Sequence, residues 1–189
     1  MLRLTSDGPV ETAVPDRGYI AARGVIGRQI LRLTRHLRTV NAERYLRPVE
    51  RHLDIGCGDG YLLRRVRAAE RIGLDRLLGD EVTDRLEFPD NHFDQVTMLA
   101  VIEHLTRPDA LMAEIARVLK PGGRLVLTTP RREADALIRL YVRDIDSEHE
   151  RYFTREDIER MAGERLRLIA HHSFVFGLNQ CFCLTKPEP

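Results

Sequence analysis

Apolar positions change their period near Pro48. Before it, Ile26, Ile30, Leu33, Leu37 and Val40 recur at helical spacing, with Arg28, Arg32, Arg35 and Arg38 between them. This predicts an amphipathic basic helix, or two, within Tyr19 to Leu46. After Pro48, short apolar runs alternate with helical segments. His52 to Ile55 reads as a strand, Tyr61 to Ala69 as a helix and Arg71 to Leu74 as a second strand. Phe93 to Ala100 reads as another strand, and Ala110 to Leu119 as a helix with Pro108 near its first turn, where a missing N–H costs little. Gly123 to Thr129 is a strand rich in β-branched residues, and Arg132 to Arg143 a helix. Thr154 with Asp157 makes a capping-box start for a helix to Met161. Leu166 to Val175 and Gln180 to Thr185 alternate like two strands joined by a turn at Gly177 to Asn179. Such alternation predicts an α/β fold, a mainly parallel sheet covered on both faces that closes in an antiparallel hairpin.

At 189 residues the chain suits one domain with one core. Residues 1–18, punctuated by Gly8, Pro9, Pro15 and Gly18, read as a flexible N-terminal arm, and 19–189 as a single domain with a helical cap over 19–47. Hydrophobic residues make up 43% and charged residues 31%, which fits a globular protein and argues against disorder. A formal net charge of +1 supplies no global field for nucleic acid. Cys57, Cys181 and Cys183 lack the spacing of a zinc site or a disulfide framework, so no metal is expected and a reducing, cytoplasmic compartment is the default. No apolar run is long enough to span a membrane, and the N-terminus lacks the apolar core of a signal peptide. The basic helix leaves room for weak peripheral contact with an anionic membrane.

The run LDIGCGDG (Leu53 to Gly60) follows an apolar strand and precedes a helical segment. Its glycines let backbone approach a ligand at the carboxyl end of the first strand, the crevice of an open α/β sheet. The spacing is GxGxG, not the GxGxxG phosphate fingerprint, and Asp54 stands at the strand end, which favours a cofactor without a pyrophosphate. Asp75 closes the second strand fifteen residues after Gly60, where a carboxylate can accept ribose hydroxyls.

Four runs then resemble, in order, the motifs of the methyltransferase type 11 family within the class I S-adenosylmethionine-dependent methyltransferases: LDIGCGDG, GLD, LEFPDNHFDQVTMLAVIEHL (Leu86 to Leu105) and ARVLKPGGRLVLTTP (Ala116 to Pro130). The resemblance implies a Rossmann-like three-layer sandwich with a seven-stranded sheet, and S-adenosylmethionine as cofactor. It implies that Gly56, Cys57, Gly58 and Gly60 lie along the methionine part and sugar, with Asp54 beside them. Asp75 and Arg76 then lie at the ribose, and Leu99 and Ala100 near the methionine part. Only ten residues separate Asp75 from Leu86, where relatives commonly carry a helix and a full third strand. The helix is therefore expected to be lost and the third strand reduced to a stub near Glu81 to Thr83. The acid meeting adenine would be Asp84, followed by Leu86, with Asp80 as its rival. Pro121, Gly122 and Gly123 are expected to form a turn into the fifth strand.

The function implied is methyl transfer to O, N or C of a small-molecule acceptor. Aligning the acceptor in line with the carbon–sulfur bond supplies most of the catalysis. A base is optional, and the candidates are His104 in VIEHL and His149 in SEHERYF. Glu103 reads as structural. The acceptor site is expected between the N-terminal helix and Arg131 to Phe153. Two alternatives remain open from sequence: a nucleotide-binding module without turnover, and a nicotinamide-dependent oxidoreductase, which GxGxG disfavours.

Overall fold

A computed structural model describes residues 1–5, 24–79, 85–133 and 151–189. Its sheet has seven strands: β1 (Leu2–Thr5), β2 (Val49–Ile55), β3 (Ala68–Leu74), β4 (Phe93–Leu99), β5 (Leu119–Pro130), β6 (Arg167–Phe174) and β7 (Asn179–Thr185), in the order β1-β3-β2-β4-β5-β7-β6. The four central strands β3, β2, β4 and β5 are parallel, while β7 and β6 close one side antiparallel. The helices among the described residues are α1 (Gly24–Glu43), α2 (Pro108–Val118) and α3 (Arg155–Ala162). The α/β architecture and C-terminal hairpin expected from the alternating pattern are present.

The two sheet faces differ. Leu53, Ile55, Val96, Met98, Leu125, Leu127 and Phe182 point to one face and form the main core with α2 and α3. The other face, under α1, holds a smaller cluster of Ala42, Val126, Cys181 and Cys183. Helix α2 begins with Pro108 in its first turn, and α3 begins on the capping box of Thr154 and Asp157, as local sequence indicated.

Several expectations change. Residues 2–5, placed in a flexible arm, form β1 antiparallel to β3, pairing Leu2 with Gly73 and Leu4 with Arg71. Leu4 is buried with Cys57 and Leu63, and that burial gives a short edge strand its hold. The helix expected over Tyr61 to Ala69 is reduced to a turn, in which the Arg64 N–H donates to Gly60 O at 3.1 Å and the Val66 N–H to Leu62 O at 3.1 Å. Strand β3 begins already at Ala68, which leaves 56–67 as a crossover close to the minimum of about 10–12 residues. The expected stub at Glu81 to Thr83 and nearly all of the helix expected over Arg132 to Arg143 lie outside the described residues, as does most of the expected arm.

Helix α1 is rotated from its predicted facing. Leu33 and Val40 are 57% and 38% exposed, whereas Thr39 and Ala42 are buried against the sheet. Arg35 and Arg38 turn inward, to Asp59 and Asn179. Two polar anchors and two small residues thus outweigh the apolar stripe, because small residues let the helix approach the sheet closely. No described helix is long and apolar enough to cross a membrane.

Candidate functional site

The carboxyl ends of β2, β3 and β4 meet around the glycine loop. Its start is pinned by β3: the N–H groups of Gly56 and Cys57 donate to Leu74 O at 2.8 and 3.1 Å. Gly56, Gly58 and Gly60 have φ of 77°, 51° and 76°, the left-handed region that glycine enters without steric cost. The first two serve different ends. A Cβ on Gly56 would lie 2.1 Å from Val101 Cγ2, so that glycine is required by packing. A Cβ on Gly58 would meet nothing within 4 Å, so the loop there faces open space in which a ligand can touch backbone.

Two carboxylates stand next to this loop, Asp75 on the Gly58 N–H and Asp54 two residues before Gly56. Asp75, directly after β3, accepts the Gly58 N–H at 2.7 Å. A carboxylate has about four acceptor positions, more than one N–H fills. Asp54, on β2, is 3% exposed and accepts the Thr97 hydroxyl at 2.7 Å. Burial pushes its carboxyl up to about 7, with Thr97 acting to lower it and the charge of Asp75 to raise it. A buried acid poised near neutrality beside a loop with open backbone is a functional-site signal. At the end of β4, Ala100 adopts φ 57°, and its N–H donates to Thr128 O at 2.9 Å. Such strain in a non-glycine residue persists only where the surroundings impose it.

The structure brings Asp54, Gly56, Gly58, Gly60, Asp75, Leu99 and Ala100 to one end of the sheet. Arg76 follows Asp75, exposed, in a short 3₁₀ turn (Arg76–Leu78). Cys57 is buried against Leu4 and Leu63, which suits packing. Leu86 is placed differently from expectation: it is 3% exposed within the main core, with its N–H on Glu114, and offers a ligand no open surface. Asp80, Asp84 and His149 lie outside the described residues. His104 ends a 3₁₀ turn (Ile102–His104) after β4. It keeps solvent contact, while partial desolvation and then the charges of Arg38 and Arg76 hold its ring below the ordinary value, so it is neutral near pH 7. Glu103 is buried, and its carbonyl accepts the Arg151 N–H at 3.3 Å. Pro121 to Gly123 do make a turn-like irregularity, but inside β5, where the register with β4 shifts.

Sequence reading missed two features. Asp59, inside the glycine loop, holds Arg35 of α1 at 2.9 Å, and Arg35 lies over the Tyr61 ring at 4.5 Å, which fastens α1 above the loop. The second is a polar line on the α1 face of the sheet, formed by His52, Asp54, Gln95 and Thr97. Alternation in RHLDI and FDQVTML was the available signal, since period 2 puts each pair on one face.

These residues suit a nucleoside cofactor with an amino-acid tail: open backbone at Gly58, a hydroxyl acceptor in Asp75 and a buried carboxylate for a cation in Asp54. Comparison with known proteins agrees. A family model described as a methyltransferase domain matches residues 26–165. A ubiquinone/menaquinone biosynthesis C-methyltransferase of Burkholderia orbicola is 32% identical over 124 residues, covering 53% of this chain and 51% of that protein. The chain spans about half the length, or less, of the curated relatives it matches. Among solved structures, a chain from the complex of the Haloferax volcanii Trm112 methyltransferase activator with a methyltransferase aligns with a TM-score of 0.69 at 19% identity, covering 93% of this chain and 100% of that one. An S-adenosylmethionine-dependent methyltransferase of Thermotoga maritima aligns with a TM-score of 0.62 at 18% identity, covering 90% and 94%. The two structures speak for the fold. With the family match extending from α1 past α3, the chain belongs to the methyltransferase-domain family.

Proposed function

We propose that this enzyme methylates a small molecule, with the cofactor held between Asp54, the glycine loop and Asp75. The observation that carries this reading is the open backbone at Gly58, with Asp75 on its N–H and the buried Asp54 two residues before the loop. Asp54 would face the cofactor's ammonium, Gly56 to Gly60 its methionine and sugar, and Asp75 with Arg76 the ribose. Leu99 and Ala100 would border the sulfonium end. The cofactor supplies an activated methyl group on sulfur.

The acceptor would approach over Ala100 and His104, under the cover of α1. There it would be aligned with the methyl group that the bound cofactor would supply. Where the acceptor carries a proton, as a phenol or hydroquinone does, that proton passes to His104, which is neutral near pH 7 and can take it. The positive field of Arg38 and Arg76 about His104 favours an acceptor that carries or develops negative charge, such as a phenolate or carboxylate. The relatives named as ubiquinone/menaquinone C-methyltransferases lend weight to a hydroxylated ring, and the near-balanced charge disfavours nucleic acid. Three buried cysteines without a disulfide framework fit a reducing compartment such as the cytoplasm. The exposed Arg32, Leu33 and Val40 of α1 support the weaker proposal of peripheral contact with anionic lipid.

The test is turnover with S-adenosylmethionine against a panel of phenols, hydroquinones, carboxylates and amines, followed by mass spectrometry. Methylation of a phenol or hydroquinone that depends on His104, or of a carboxylate, supports the reading. Cofactor binding with turnover only on amines or nucleic acid overturns the acceptor class.

A further inference from the structure

Parallel sheets buried on both faces ordinarily carry apolar runs. Here the α1 face of β2 and β4 carries His52, Gln95 and Thr97, each fully buried, and Asp54 beside them. The register sets His52 opposite Gln95 and Asp54 opposite Thr97, so the four side chains zigzag between the strands.

Their hydrogen bonds have a forced direction. The backbone N–H of Arg47 can only donate, and it meets Gln95 Oε1 at 3.2 Å. The Gln95 amide nitrogen therefore faces His52 Nδ1, at 3.2 Å, and donates to it. A neutral ring with an acceptor at Nδ1 carries its proton on Nε2, which donates to Thr97 Oγ1 at 3.0 Å. That leaves the Thr97 hydroxyl proton for Asp54 Oδ1 at 2.7 Å, with Leu53 O more distant at 3.5 Å.

We propose that Gln95, His52 and Thr97 are positioning residues, a one-way donor chain that fixes the Asp54 carboxylate so that it can receive the ammonium group of the cofactor. The proposal rests on the reading that Asp54 meets the cofactor. His52 itself stays neutral, because burial and Arg71 of β3 hold its ring at about 3. The groups acting on Asp54 are Thr97 of β4, which favours the charged form, and Asp75 after β3, which opposes it. From α1, Arg35 is engaged in its ion pair with Asp59. The Thr97 hydroxyl is thus the group of the chain that holds the carboxylate charged.

The test titrates the Asp54 carboxyl by carbon-13 NMR in the ligand-free wild type, Thr97→Val, Thr97→Ser and His52→Phe, and measures S-adenosylhomocysteine affinity by calorimetry across pH. Thr97→Val is expected to move the Asp54 midpoint up by about one pH unit and to weaken binding at neutral pH up to about tenfold, with recovery at higher pH. Thr97→Ser is expected to behave like wild type. In His52→Phe the hydroxyl is free to turn to Leu53 O, so the midpoint moves in the same direction by less. A Thr97→Val protein that loses thermal stability while its Asp54 midpoint stays put overturns the proposal, and so does a shifted midpoint with unaltered affinity at every pH. If Thr97→Val does not fold, Thr97→Ser and His52→Phe decide. Absence of S-adenosylhomocysteine binding in every protein, wild type included, overturns instead the assignment of the cofactor to this opening, and the NMR titration still judges the chain.

Discussion

The Gly58 amide donates to Asp75 Oδ2 across 2.7 Å, so the acid that ends β3 also fixes the glycine loop at the end of β2. Asp75 therefore has two separable roles, and two substitutions should part them. In Asp75→Asn the side-chain oxygen can still accept the Gly58 N–H, but the charge that strengthens bonds from ribose hydroxyls is gone. In Asp75→Ala both are lost. Calorimetry with S-adenosylmethionine should show about tenfold weaker binding for Asp75→Asn and a further loss for Asp75→Ala. Hydrogen exchange at Gly58 should accelerate only in the alanine variant. Equal exchange in the two variants would show that the loop does not depend on this bond.

Gly56 and Gly58 should respond differently to the same added methyl group. At Gly56 an alanine combines positive φ with a 2.1 Å approach to Val101 Cγ2, and overpacking plus strain should cost about 3 kcal/mol or more. At Gly58 the strain remains, at about 1 kcal/mol, but no atom stands in the way. Urea denaturation should thus find Gly56→Ala severely destabilised and Gly58→Ala mildly so, while Gly58→Ala loses most of its cofactor affinity. Val101→Ala should partly rescue Gly56→Ala, since it removes the clash and leaves the strain. Similar stabilities for the two single variants would contradict this division.

Asp54 and His52 should impose opposite pH dependence on stability. The Asp54 carboxyl is raised from 3.8 to about 7, so the native state keeps a proton that the unfolded chain has released, and stability falls as pH rises through that window. His52 is lowered from 6.5 to about 3, so the unfolded chain takes up a proton that the native state refuses, and stability falls as pH drops through that window. The two slopes offset each other in the overlap. Asp54→Asn should become more stable than wild type as pH rises, with a gain on the order of 4 kcal/mol above pH 7. His52→Gln should gain relative to wild type only below about pH 6. Urea midpoints between pH 4 and 8 test both, and parallel curves for all three proteins would refute the assignment.

What the sequence revealed depended on how local the determining physics is. The capping box of Thr154 and Asp157 is specified within four residues and was legible directly. The strands and their parallel arrangement followed from the change of period after Pro48. The glycine loop was legible because its backbone demands glycine. The donor chain was not, because His52 and Gln95 become neighbours only through strand register. Nor was the facing of α1, which long-range partners at Asp59 and Asn179 decide against the helix's own apolar stripe. Strand β1 escaped detection because four residues hold no period, and its stability comes from Cys57 and Leu63 in the loop it covers.

That cover makes Cys57 a reporter of β1. Leu4 is 5% exposed and packs with Cys57 and Leu63, and the Leu2 side chain lies beside Gly60. Leu4→Ala should cost about 2 kcal/mol and open the cluster. A thiol reagent should then modify Cys57 many times faster than in wild type, while Cys181 and Cys183, under α1, keep their rates. Unchanged Cys57 reactivity would mean that the loop is closed without β1.

The clamp between α1 and the glycine loop should behave as a coupled unit. Arg35 pairs with Asp59 and lies over Tyr61, whose hydroxyl also meets His36 Nδ1 at 3.1 Å. The Arg35 and Asp59 side chains are 29% and 23% exposed, so water screens the pair less than at an open surface, although not as little as in the interior. A double-mutant cycle of Arg35→Ala and Asp59→Ala should return a coupling of about 1 kcal/mol, reduced at high salt. Since α1 is proposed to cover the acceptor, either single variant should raise the acceptor KM more than it weakens cofactor binding. Both should speed hydrogen exchange in α1. Strict additivity with unaltered exchange would show that α1 is held by Arg38, Thr39 and Ala42 without the loop, and that the loop and its helix move independently.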